Sequence, residues 1–169
     1  MRTFEQPEKN PRPYIRQLFS ITAFIIVVVI GVFVFLNAGS SSFDQIKYNQ
    51  GITEFTENEN IALRIYSLIE DEQTGNLPIL IEETGIANWK KNIEIIDRLN
   101  AMENLPEELK YQNLILLDYC SLRLAAYELI GRAVEEKTSH YDNRIKITHK
   151  QIEELMEEME DQAVVMGKE

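Results

Sequence analysis

The stretch from Leu109 to Val134, LKYQNLILLDYCSLRLAAYELIGRAV, decides the fold of the larger part of this chain. Leu109, Leu116, Cys120, Arg123, Tyr127, Ile130 and Val134 recur at steps of seven, four and three, so they share one stripe of a helix, which Leu117 and Leu124 widen. A stripe this apolar predicts a central helix with partners on more than one side. Just before it, Asn104-Leu105-Pro106-Glu107 has the capping-box pattern, with Asn104 at the cap and Glu at the third position after it.

Outward from that helix the same periodicity continues. Ile86, Trp89, Ile93 and Ile96, with Leu99 near the end, predict a preceding amphipathic helix. Asn76-Leu77-Pro78 reads as a helix start, and Thr84-Gly85 is expected to break the helix that it opens. Further back, Tyr48, Ile52, Phe55, Ala62, Tyr66 and Ile69 form one face, with Glu59 filling the one missing step, and Asp71 to Asn76 reads as a turn. On the other side, Ser139-His140-Tyr141-Asp142 reads as a cap. It opens a last helix with Tyr141, Ile145, Thr148, Ile152, Leu155 and Met159 at alternating steps of four and three, a heptad-like seam that also suits a homo-oligomer. The fold class expected is all-α: an antiparallel four-helix-type bundle over residues 43–162, with residues 163–169 a fraying tail.

The N-terminal part has a different composition. Leu18 to Leu36, LFSITAFIIVVVIGVFVFL, holds no charged residue and spans about 28 Å as a helix, close to the ~30 Å core of a bilayer. It is read as a single transmembrane helix. A cleaved signal peptide, with Ala38-Gly39-Ser40 as its small-residue site, is the competing reading; the run is longer than a signal core of about 7–15 residues. Arg2, Lys9, Arg12 and Arg16 precede the run, and the first basic residue after it is Lys47. The positive-inside rule therefore makes residues 1–17 a cytoplasmic tail, 37–42 a flexible hinge, and the bundle an extracytoplasmic or periplasmic domain of a cytoplasmic-membrane protein.

Charge and cysteine usage narrow the function classes. The chain has 17 Lys and Arg against 28 Asp and Glu; setting aside Glu5, Glu8 and the four basic residues before the span leaves 13 against 26 beyond it. Such an acidic domain argues against nucleic acid and against docking on anionic lipid. The single Cys120 cannot form an internal bridge and reads as a small core residue.

Catalytic and metal constellations are missing from the sequence. His140 and His149 are nine apart and neither stands three residues after a Glu, which excludes the Glu-x-x-His pairs of di-iron bundles. HExxH, GxSxG, P-loop, GxGxxG and EF-hand patterns are absent too. The acidic string from Glu153 to Asp161 reads as a solvated helix face. The chain is thus expected to carry no catalytic residue, cofactor or metal.

Arg123 is the exception on an apolar stripe, since a guanidinium there must find a carboxylate or reach outward. Asp118, five residues earlier, is one candidate partner. The alternative is a ligand-carboxylate or partner contact formed by Arg123 with Trp89, Tyr119 and Tyr127 in a cleft.

Trp89 with Asn92, Leu99 and Leu105-Pro106, then Leu117-Asp118-Tyr119-Cys120, Leu122-Arg123 and Tyr127-Glu128, resembles the helical extensions that accompany some bacterial rhomboid-type membrane proteins. The resemblance, over Trp89 to Glu136, implies a shared accessory module. It implies no protease activity, because this chain has one expected span and no Gly-x-Ser-Gly nucleophile. Together these readings predict a membrane-anchored, non-enzymatic interaction or scaffold domain with a protein partner. The alternative is a ligand-sensing ectodomain that works through a partner subunit.

Overall fold

In the computed structural model, residues 43–70 and 76–166 are described, with the side chains of 69, 70 and 160–166 excepted. The expected transmembrane helix at Leu18–Leu36, its 1–17 tail and 37–42 hinge, the turn at 71–75 and the last three residues lie outside the described residues. Among the described residues no helix is long and apolar enough to cross a membrane, and every regular element is helical: α1 (Gln45–Glu70), α2 (Leu77–Leu80), a π-helical segment Ile81–Ile86, α3 (Ala87–Asn100), α4 (Glu107–Glu135) and α5 (Asp142–Met166).

The helix ends follow from local chemistry, with two departures from expectation. Asp44 caps α1, its carboxylate accepting the Lys47 N–H at 3.0 Å. Asn104 does not cap α4. It adopts φ 54° in the preceding loop, and α4 begins after Pro106, whose carbonyl accepts the Lys110 N–H at 3.0 Å; the proline's fixed φ sets the helix entry instead of an Asn side chain. At the other end of α4, Lys137 at φ 49° closes a Schellman turn, with its N–H on Val134 and the Thr138 N–H on Ala133.

Thr84-Gly85 does not break the second helical stretch. The backbone widens to a π-helix over Ile81–Ile86 and runs on into α3 without a gap. A Cβ on Gly85 would collide with the Tyr127 ring and reach Ile65. The missing side chain therefore serves close packing of the π-segment against α1 and α4, not chain reversal.

Cross-helix pairs establish the topology. Asn92 reaches Phe55, while Arg98 reaches Glu54 further towards the start of α1, so α1 and α3 are antiparallel. Asn100 meets Asn113 and Gly85 meets Tyr127, so α3 and α4 are antiparallel as well. Tyr48 bonds Asn113 and Tyr127 bonds Ala62, which makes α1 and α4 parallel. α5 folds back along α4 through the short 136–141 connection. The result is the expected up-down-up-down bundle.

The core takes Tyr48, Ile52, Phe55, Ala62 and Tyr66 from α1, Trp89, Ile96 and Leu99 from α3, and Leu109, Leu116, Cys120 and Tyr127 from α4. The α5 seam is engaged within the chain: Ile152 and Thr148 are buried, and Leu155 and Met159 pack against the core. A homo-oligomer through Tyr141–Met159 would have to displace that packing. The helix also continues to Met166, past the expected frayed boundary at 163.

Candidate functional site

Spacing on α4 builds the site. Tyr119, Arg123 and Tyr127 are four residues apart, so their side chains stack along one face. That face meets Trp89 on α3. The Trp89 ring lies 5.6 Å from Tyr119, nearly perpendicular to it, and 6.3 Å from Tyr127. The guanidinium carbon of Arg123 sits 5.1 Å from the Tyr119 ring centroid, within cation–π range. All four residues expected to form a contact site are therefore gathered in one place. They do not line an open cleft: Trp89 is 0% exposed, Arg123 and Tyr127 1%, and Tyr119 4%.

Glu59, on α1, completes the cluster. It is 1% exposed. Tyr119 donates its hydroxyl proton to Glu59 Oε1 at 2.5 Å and accepts from Arg123 Nε at 3.1 Å, so the tyrosine oxygen bridges carboxyl and guanidinium. The expected partner Asp118 is exposed and plays no part in this chain of bonds; five residues along a helix put it on a different face from Arg123. Burial raises the Glu59 carboxyl to about 7, against the lowering effects of the Tyr119 bond and the Arg123 charge. Near neutrality Glu59 is thus poised between its protonated and ionised forms.

α5 supplies the remaining wall. Met156 Sδ accepts from Arg123 Nη2 at 3.9 Å, and the His149 ring lies 6.1 Å from that of Tyr66. Burial and the Arg123 charge lower His149 to about 4, so it is neutral in the fold. Several buried polar atoms here make no hydrogen bond of good geometry: Glu59 Oε2, the Tyr66 hydroxyl, Trp89 Nε1, Asn92 Oδ1 and both His149 ring nitrogens. The Asn92 amide nitrogen, by contrast, donates to the Phe55 carbonyl at 3.1 Å, and the Tyr127 hydroxyl donates to the Ala62 carbonyl at 2.7 Å.

Among the described residues the remaining candidate groups do not assemble a second site. Burial raises the Cys120 thiol far above its usual range, which makes it a poor nucleophile. Among the described residues no three His, Cys, Asp or Glu side chains converge on a point that could hold a metal ion. A surface hollow of about 250 Å³ lies between α1 and α3, lined by Lys47, Gln50, Glu54 and Arg98 among others, away from the Arg123 cluster.

Glu59, Tyr66, His149 and Met156 were not picked out as site residues from the sequence. A signal for Glu59 existed: it and Arg123 are opposite charges, each occupying a core step of an otherwise apolar stripe. His149 carried none, because it sits one residue off the predicted seam. Compared with known proteins, the chain matches no family model, no curated protein and no solved structure.

Proposed function

We propose that this chain is a non-enzymatic helical interaction domain, anchored in the cytoplasmic membrane by Leu18–Leu36 and displayed on its outer side. The observation that carries the reading is the closure of the Trp89, Tyr119, Arg123 and Tyr127 cluster: its polar groups are turned inward, where substrate has no open path. Recognition then falls to the surface, which is acidic and carries Tyr111 and Leu114, both about half exposed and one turn apart on α4. A partner that pairs basic groups with an apolar contact fits that surface.

Copurification tests this reading. A tagged chain extracted in mild detergent is expected to bring down a stoichiometric partner, and Leu114→Glu is expected to lose it while the melting temperature holds. A partner retained by Leu114→Glu would move the contact off α4, and the absence of any stoichiometric partner would overturn the reading.

One observation favours a second reading, a ligand-sensing domain that signals through a partner subunit. A bundle interior with several buried polar atoms that make no hydrogen bond of good geometry around one cation is poorly satisfied as pure scaffolding.

A further inference from the structure

We propose that the junction of α1, α4 and α5 around Arg123 is a binding site for a small carboxylate, with α5 as its displaceable cover. The inference rests on the sensing reading and names the ligand class for it.

Arg123 is a permanent cation sealed in the core, and its described hydrogen bonds go to the Tyr119 hydroxyl and the Met156 thioether, both neutral. Among the described residues no carboxylate oxygen forms an ion pair with it within 4.0 Å. Glu59 is bridged to it by the Tyr119 oxygen and feels its charge, without a direct ion pair. Beside the guanidinium stand the Tyr66 hydroxyl from α1, which meets Arg123 and Tyr127 without a hydrogen bond of good geometry, and both ring nitrogens of His149 from α5, which have no partner. These are the groups a carboxylate needs. The planar guanidinium matches its two oxygens, while a phenol and a neutral imidazole add single donors. With Glu59 protonated, one cation balances one negative charge, which favours a monoanion over a phosphate; ionised Glu59 competes with the ligand for that charge.

α5 is the cover because it satisfies this site least. It offers Arg123 a weak sulfur acceptor at 3.9 Å. Its His149 nitrogens stay idle, and its Thr148 hydroxyl turns back to the Arg144 carbonyl of the same helix. A carboxylate entering as α5 rocks away from α4 would exchange a thioether contact for charge-assisted bonds.

Trp89, the chain's single tryptophan, reports on the site through its contacts with Tyr119 and Tyr127. The full 169-residue chain is titrated with acetate, propionate and butyrate, and with chloride at matched ionic strength, while Trp89 fluorescence and the melting temperature are followed. The expected result is a saturable change with the carboxylates and none with chloride. Met156→Glu should give Arg123 an internal carboxylate, raise the melting temperature and weaken the response about tenfold or more; Arg123→Met should abolish it. If Arg123→Met does not fold, Met156→Glu decides. No saturable response in the wild type, an equal response to chloride, or a response unchanged in Met156→Glu would overturn the site. If carboxylates bind but copurified partners are the same with and without them, the site stands and the sensing reading falls; absence of binding removes the site and leaves the interaction reading untouched.

Discussion

At the scale of single residues, Glu59 and His149 share the Arg123 environment but titrate with opposite consequences. Glu59 is raised from 4.5 to about 7, so its contribution to stability is complete below pH 4.5 and is lost as pH rises towards 7. His149 is lowered from 6.5 to about 4, so its contribution is complete above pH 6.5 and is lost as pH falls towards 4. Between about pH 4.5 and 6.5 the two slopes oppose each other. Tyr66, Tyr119, Tyr127 and Cys120, which face the same cluster, are all raised and stay neutral throughout that window. Glu59→Gln should therefore expose the histidine slope, with stability falling on acidification from pH 6.5. His149→Gln should expose the opposite slope, a loss of about 3 kcal/mol between pH 4.5 and 7. Denaturant titrations across pH measure both, and parallel curves for the two variants would contradict the assignment. Arg123→Ala should cost about 3–5 kcal/mol in the same assay, since it opens a cavity and strands the Tyr119 bridge.

At the scale of elements, the π-segment and the α4–α5 turn make separable predictions. Gly85→Ala places a methyl group against the Tyr127 ring and should destabilise the bundle by about 1–3 kcal/mol. Gly85→Ala combined with Tyr127→Leu should recover part of that loss if the clash is the cause. Lys137 holds a left-handed conformation that costs a side-chain-bearing residue about 1 kcal/mol. Lys137→Gly should raise the melting temperature, with a gain of about 0.5–1 kcal/mol. A fall would show that the lysine side chain contributes more than its backbone costs.

At the scale of the whole molecule, the bundle over 43–166 should unfold in one cooperative transition, and Leu116→Ala should cost about 2–5 kcal/mol. Externally added protease should remove the domain after Ser42 and spare the N-terminus if Leu18–Leu36 is a retained span with its N-terminus inside; protection of the C-terminus would reverse that orientation. Helix content and order were legible because the stripes on α1, α3, α4 and α5 obey one period. Leu117 and Leu124 illustrate the limit of that reading: they lie on the predicted stripe but are only half-buried, whereas Asn113 and Tyr119 are buried. Hydropathy cannot see which polar side chains will find partners across the bundle, as Asn113 does with Tyr48 and Asn100. The gathering of Tyr119, Arg123 and Tyr127 was legible from α4 spacing, whereas Trp89 joins them through the packing of α3 on α4. The role of Glu59 was not legible, because it depends on helix-to-helix register, 60 residues apart in sequence.

The alternation of the four long segments brings the end of α5 back to the level at which α1 begins. A pull between the two ends of the domain is therefore applied at one pole, so the helices are peeled apart turn by turn and are not sheared along their length. α5, which comes last in the chain and packs chiefly on α4, would detach first. A domain tethered at its N-terminus and loaded at its C-terminus would yield as a soft mechanical fuse, opening the Arg123 cluster before the α1–α3–α4 core gives way.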